Sequence, residues 1–188
     1  DGSSRFGENN RFGFFPSGAL AWRVNQEEFL KNINWLSNLK LRASYGKTGN
    51  QEIPLYQNIQ SFNKTSSYVF GNASSTAVAP GALVNPDLKW ETTDQYNTGV
   101  DVGVLKNKLS FTADYYYKKT NDLLFPVSVP RQGGYTSVLQ NIGSVENKGF
   151  EFGLNFNLEK GDFSWNAFGN ISFNRNKVLA LANADRFF

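Results

Sequence analysis

Residues 148–158 read KGFEFGLNFNL, and their pattern indicates the fold class of the chain. Apolar and polar residues alternate along this segment without a break. The apolar set is Phe150, Phe152, Leu154, Phe156 and Leu158, and the polar or small set is Glu151, Gly153, Asn155 and Asn157. A period of two predicts a β-strand with one apolar face and one polar face.

The same alternation recurs along the chain and predicts a sheet of about six strands. The predicted strands span residues 14–24, 39–46, 90–105, 109–118, 148–158 and 163–173. Phe168 is the one apolar residue that falls in the polar phase of the last strand. Pro16 suits only the end or the edge of the first strand.

The connections between these strands alternate in length. Short turns are predicted near Lys106–Asn107 and at residues 159–162. A short helix capped by Asn25, with Glu28 in the capping-box position, is predicted between the first two strands. At the other end of the sheet lie residues 47–89 and 119–147, long and rich in Ser, Thr, Asn, Gly and Pro. Loops of that length are usually functional.

Short turns at one end, long loops at the other and aromatic residues near the strand ends are typical of one architecture. They predict an all-β, antiparallel wall of a transmembrane β-barrel. Its apolar face would contact lipid, and its polar face would line a lumen rich in Asn, Ser, Thr and Gly. We expect the long loops to be extracellular and the short turns periplasmic.

Composition narrows the function. The chain lacks cysteine and histidine, which excludes thiolate and imidazole chemistry and the usual zinc sites. Its net charge of +3 is spread along the sequence rather than gathered in a basic stripe, so we expect no nucleic-acid partner. No constellation predicts catalysis, and we expect no catalytic, cofactor-binding or metal-ligating residue. The first twenty residues hold no signal peptide, so we expect any export signal upstream.

Four stretches resemble the barrel of SusC/RagA-type TonB-dependent outer-membrane transporters. They are RFGENNRFGFFPSGALAWRV (5–24), LKLRASYGKTGNQ (39–51), NPDLKWETTDQYNTGVDVG (85–103) and NIGSVENKGFEFGL (141–154). The resemblance implies that residues 1–188 are part of a barrel domain of about 22 strands, with the plug, signal peptide and TonB box elsewhere. It implies a multi-pass protein of the Gram-negative outer membrane that imports oligosaccharides, peptides or similar large nutrients. The implied partners are a SusD-like surface lipoprotein, the TonB complex through the N-terminal region, and outer-membrane lipid.

Aromatic residues in the predicted long loops are the candidate contacts with a glycan or peptide substrate or with a partner. Their flat apolar faces can stack on sugar rings or pack against a protein. These residues are Tyr56, Phe62, Tyr68, Phe70, Phe125 and Tyr135.

Two other interpretations of the sequence remain open at this stage. The first is a soluble or surface-exposed β-sandwich that binds carbohydrate through the loop aromatics. The second is a passive porin, since the plug that distinguishes an energised transporter would lie upstream.

A charge on the apolar face separates the membrane barrel from the soluble sandwich. We expect Phe152→Arg or Val102→Arg to disrupt membrane assembly, at a cost of about 2–4 kcal/mol near the bilayer centre. The yield of folded protein in the outer-membrane fraction measures this effect. Assembly of either variant at the level of the parent would refute the lipid-facing assignment.

Overall fold

The computed structural model describes residues 1–55 and 57–181 and consists of antiparallel strands joined by turns and loops. Its strands are β1 (Ser17–Arg23), β2 (Leu36–Asn50), β3 (Phe62–Phe70), β4 (Ala73–Pro80), β5 (Glu91–Val104), β6 (Leu109–Asn121), β7 (Leu124–Ser128), β8 (Ser137–Asn141), β9 (Ser144–Lys160) and β10 (Phe163–Ala180). Within these described residues, no helix has the length and apolar character needed to cross a membrane.

Six strands form one sheet in the order β1-β2-β5-β6-β9-β10. These are the six strands that the alternation predicts, so the predicted all-β antiparallel sheet is confirmed. The pairings keep the phase of the alternation, except for register shifts near two strand ends, at Leu36/Asn38 and at Val178/Ala180. Along one row, Leu41 pairs with Val100, Val100 with Ala113, Ala113 with Phe152, and Phe152 with Ile171. The apolar side chains therefore form one continuous face, and the polar side chains form the other.

The long connections contain more structure than the sequence analysis predicts. β3 and β4 form one two-stranded sheet, and β7 and β8 form another. Phe70 pairs with Ala73, which leaves Gly71 and Asn72 as a two-residue turn, and Gly71 has φ of +65°. The composition of these stretches suggested irregular loops, but hairpins satisfy their backbone groups locally.

The helix predicted between the first two strands is wrong. The chain forms a short 3-10 turn at Val24–Gln26 and then successive turns to β2. The Asn25 side chain donates to the Ser37 carbonyl at 3.3 Å and does not cap a helix. The predicted helix would carry an apolar stripe of Phe29, Ile33 and Leu36, but Phe29 is 68% exposed and the other two are only half-buried, so packing is too weak to stabilise so short a helix.

The buried core lies among the long connections and not between two sheets. Phe6, Ile53, Leu88 and Trp90 form a cluster at the end of the sheet that carries the long loops. Phe15, Leu124 and Leu139 pack against this cluster. Residues from the N-terminal stretch and from both long connections are therefore fixed to one another above the ends of β5 and β7.

Candidate functional site on the polar face and the loop end

A charge cluster occupies the middle of the polar face. The Arg42 guanidinium on β2 donates to Asp101 on β5 through Nε at 3.0 Å and through Nη2 at 2.8 Å. Nη2 also lies 2.9 Å from Oδ1 of Asp114 on β6. One arginine thus bridges two carboxylates and links three neighbouring strands.

A glycine makes this bridge possible. Gly99 lies in register between Arg42 and Asp114, and the Arg42 side chain passes over it. A Cβ at position 99 would lie 2.8 Å from Arg42 Nη2 and would also meet the Asp114 carboxylate. Glycine is needed at position 99 because the Arg42 and Asp114 side chains come close to the backbone there, and not because the chain turns.

A second glycine supports a tyrosine in the same way. Tyr116 on β6 is the register partner of Gly149 on β9, and its ring lies over the glycine. The Tyr116 hydroxyl donates to Asn174 Oδ1 on β10 at 3.0 Å. The pair packs an aromatic ring over a glycine on the neighbouring strand, which stabilises an otherwise bare position.

Together these side chains line a depression of about 680 Å³ on the polar face. Its lining combines amides, one hydroxyl, one phenol, two cations and two carboxylates. The residues are Arg42, Ser44, Gln95, Asn97, Asp114, Tyr116, Lys118, Asn147, Glu151 and Asn174. Amides both donate and accept hydrogen bonds, so this surface can pair with peptide groups, with sugar hydroxyls or with water. No group of three or more Asp and Glu side chains arranged to hold a metal ion occurs among residues 1–55 and 57–181.

Polar side chains hold the long connections together at the loop end. The Asn141 amide accepts from the Lys89 N–H at 2.9 Å and donates to the Lys89 carbonyl at 2.7 Å. Its Nδ2 also donates to the Asp122 carbonyl at 3.0 Å, and Asp122 forms an ion pair of 3.0 Å with Lys89. Arg5 Nη1 donates to the Ile53 carbonyl at 2.7 Å, which joins the N-terminal stretch to the same assembly. The loop end therefore has a defined structure.

The candidate contact aromatics lie at this end but do not form one cluster. Phe62, Tyr68 and Phe70 lie on β3 and are mostly exposed, and Phe125 on β7 is exposed as well. Tyr135 is half-buried in the turn between β7 and β8. In the part of the chain that the structure describes, no aromatic ring pair includes any of these five residues. Tyr56 lies outside the described residues. The role of all six remains a prediction.

The sequence analysis missed the polar-face cluster. Arg42, Asp101 and Asp114 each fall in the polar phase of a predicted strand, where alternation alone gives no reason to select them. The signal that could have found them is charge within strands whose polar phase is otherwise Asn, Ser, Thr and Gly, because such charges need partners.

Comparison with known proteins decides the family. Residues 1–186 match the family described as "TonB dependent receptor-like, beta-barrel". The chain belongs to the TonB-dependent receptor β-barrel family. It is 44% identical over 189 residues to TonB-dependent receptor P3 of Formosa agariphila, which covers 100% of this chain and 19% of that protein. It is 41% identical over 194 residues to TonB-dependent receptor SusC of Bacteroides thetaiotaomicron, covering 98% of this chain and 19% of SusC. The resemblance to this family is thereby confirmed.

Solved structures of the family share the fold. The structure of the RagAB peptide transporter matches with a TM-score of 0.85 and 35% identity, covering 96% of this chain and 20% of that chain. The RagAB peptide importer in its "open-open" state matches with a TM-score of 0.82 and 34% identity, covering 96% of this chain and 19% of that chain. The chain thus spans about a fifth of the length of its relatives. The TonB-dependent receptor family is one of transporters and receptors and not of enzymes.

The Arg42 cluster generates a testable energetic coupling. We expect Arg42→Met to remove the cation that Asp101 and Asp114 share, which leaves Asp114 without an ion-pair partner and Asp101 with only Lys40 at 3.9 Å, and therefore to cost more than Asp114→Asn. In a double-mutant cycle with Asp114→Asn, we expect a coupling of about 0.5–3 kcal/mol, the range for side chains in direct contact. Guanidinium unfolding of the full-length protein in lipid vesicles measures it.

Lys118→Met is the matched control for this cycle. Lys118 lines the same depression, and none of the ion pairs among the described residues includes it. Its substitution should change stability by less than about 0.5 kcal/mol. Additive effects of the Arg42 and Asp114 substitutions would show that the cluster carries no net interaction.

Proposed function

We propose that the full-length protein imports a large nutrient, an oligosaccharide, a peptide or a similar solute, across the outer membrane in a TonB-dependent manner. This chain would supply part of the barrel wall, with the polar face toward the lumen and the apolar face toward lipid. The observation that carries the proposal is the family match over residues 1–186. Relatives and solved structures at 33–44% identity support it along nearly the whole chain.

The height of the apolar face supports this placement. Between Phe150 and Leu158 the strand rises about 27 Å, which a tilt of about 40° reduces to about 21 Å across a membrane. Between the basic residues Lys148 and Lys160, on the same face, the corresponding height is about 31 Å. These values bracket the outward apolar band of about 25 Å in membrane barrels.

The single layer of the sheet argues against a soluble sandwich. A sandwich buries its apolar face under a second sheet. Here the apolar face carries exposed large residues on every strand, among them Leu20, Leu41, Tyr96, Phe111, Phe150 and Ile171. A contiguous surface of this size needs lipid or protein to cover it.

The loop end is where we place the substrate and the partner protein. The exposed aromatics Phe62, Tyr68, Phe70 and Phe125 would contact substrate or a SusD-like lipoprotein that closes over this end. Solved structures of the RagAB peptide importer in the "closed-closed" and "open-open" states support an importer that opens and closes. The TonB complex would act through the N-terminal region of the full-length protein, and this requirement for energy distinguishes the proposal from a passive porin.

Fractionation tests the placement. We expect an antibody against residues 119–147 to detect a species several times larger than 21.1 kDa in the detergent-resistant outer-membrane fraction. A water-soluble species near 21 kDa would instead support the carbohydrate-binding sandwich.

Uptake by cells tests the contact role of the β3 aromatics. We expect the triple variant Phe62→Ser, Tyr68→Ser and Phe70→Ser to lower uptake of fluorescent peptides or oligosaccharides by at least about tenfold, since each of the three lost stacking contacts costs about 0.5–1.5 kcal/mol. Phe29→Ser, which alters an exposed aromatic at the opposite end, should leave uptake unchanged.

The same assay separates the importer from a porin. Collapse of the proton gradient should abolish uptake by the parent protein, whereas a porin would continue to admit the solute. Uptake by the triple variant at the parent level would refute the contact role of these aromatics while leaving the transport proposal intact.

A further inference from the structure

A band of basic side chains lies on the apolar-phase face, at its boundary with the loop end. Two neighbouring rows of register partners form it. The inner row is Tyr45, Tyr96, Tyr117, Lys148 and Arg175, and the outer row is Lys47, Asp94, Lys119, Glu146 and Lys177. The band contains five basic side chains and two carboxylates. The basic side chains come from four strands, β2, β6, β9 and β10.

The two carboxylates of the band already have partners. The Tyr45 hydroxyl donates to Asp94 Oδ1 at 2.8 Å, and the Tyr117 hydroxyl donates to Glu146 Oε2 at 3.1 Å. Lys148 Nζ lies 2.8 Å from Glu146 Oε1. Among the described residues, no carboxylate lies within 4.0 Å of the other basic groups in the band, which are Lys47, Lys119, Arg175 and Lys177.

Lys148 and Arg175 are direct register partners on β9 and β10. Like charges directly opposite each other on neighbouring strands destabilise a sheet unless an anion lies between them. Glu146 neutralises only one of the two. Among the described residues, Arg175 therefore has a cation as its register partner and no carboxylate within 4.0 Å.

Beside these two cations lies a depression of about 560 Å³. Its walls are aromatic and its rim is basic: the lining residues are Tyr115, Lys148, Gly149, Phe150, Phe173, Asn174 and Arg175. Tyr115 and Phe150 pack with ring centroids 4.9 Å apart. A ligand that fits this site carries an anionic head at the rim and an apolar body on the aromatic walls.

We propose that this depression binds the anionic phosphate headgroup of a membrane lipid, with Lys148 and Arg175 at the phosphate and Tyr115, Phe150 and Phe173 against the acyl chains. The inference rests on the proposed placement of the apolar face in lipid. In that placement the inner row, which holds three tyrosines together with Lys148 and Arg175, lies at the headgroup level, where tyrosine is enriched and where basic side chains meet lipid phosphates. A free phosphate ion would satisfy the cations but would not use the aromatic walls.

The test uses the full-length protein in nanodiscs of phosphatidylcholine with or without phosphatidylglycerol. Native mass spectrometry counts the lipids that stay bound to the protein when it is released from the nanodisc. We expect the parent to retain phosphatidylglycerol in preference to phosphatidylcholine. The double variant Lys148→Gln, Arg175→Gln should lower that preference about tenfold, because each basic residue near a lipid phosphate contributes to binding.

Lys160→Gln is the matched control, since Lys160 lies on the same face of β9 at the short-turn end. Lys160 does not line the depression, so its substitution measures the contribution of a single cation at the other membrane boundary and should lower the preference less than Arg175→Gln does. If the double variant fails to assemble, Arg175→Gln alone provides the test, with a loss of a few-fold expected.

Two outcomes overturn the proposal: an unchanged preference in the variants that assemble, or displacement of phosphatidylglycerol by millimolar inorganic phosphate without any contribution from the acyl chains. Outer-membrane fractionation of the parent distinguishes this failure from failure of the proposed function. A parent that assembles in the membrane but shows no lipid preference contradicts only the lipid site.

Discussion

The register between the six strands of the main sheet determines which face of the sheet each side chain occupies. Each strand has its backbone groups paired only by its neighbours, and a slip of one residue would move every apolar side chain of that strand to the polar face. The same register places Arg42 opposite Gly99 and next to Asp114, and it sets Lys148 beside Arg175. Both sites therefore arise from the pairing that builds the wall.

The strands of this sheet were predictable because its two faces carry apolar and polar side chains on alternate residues. The ends of these strands were not predictable from the alternation. β2 continues to Asn50 and β9 begins at Ser144, beyond the predicted limits. In these extensions the apolar phase carries charged residues such as Lys47 and Glu146, and Val145 falls in the polar phase, so pairing continues while alternation stops. Periodicity measures the environment of the side chains, and the ladder of backbone hydrogen bonds extends past it.

The connections between strands show where a local sequence pattern misleads and where one indicates the structure correctly. A capping box and three apolar residues predicted a helix after Asn25, but an isolated helix needs packing that this segment lacks. Gly71-Asn72 between two strand-like stretches is a recognised hairpin signal, and it was available in the sequence. The bonds of Asn141 to Lys89 and Asp122 join residues that only the fold brings together, so no sequence pattern could indicate them.

Charge is distributed differently on the polar face and on the apolar-phase face of the sheet. The composition of the chain does not show this difference. The sequence shows basic residues spread evenly, which argued against a basic stripe. On the polar face, the depression around Arg42 holds two cations and two carboxylates, so its charges balance within the wall. On the other face, register gathers the cations of four strands into one boundary band where they outnumber carboxylates five to two. Charge therefore accumulates on this sheet where the register brings basic residues together, which the composition of the chain does not indicate.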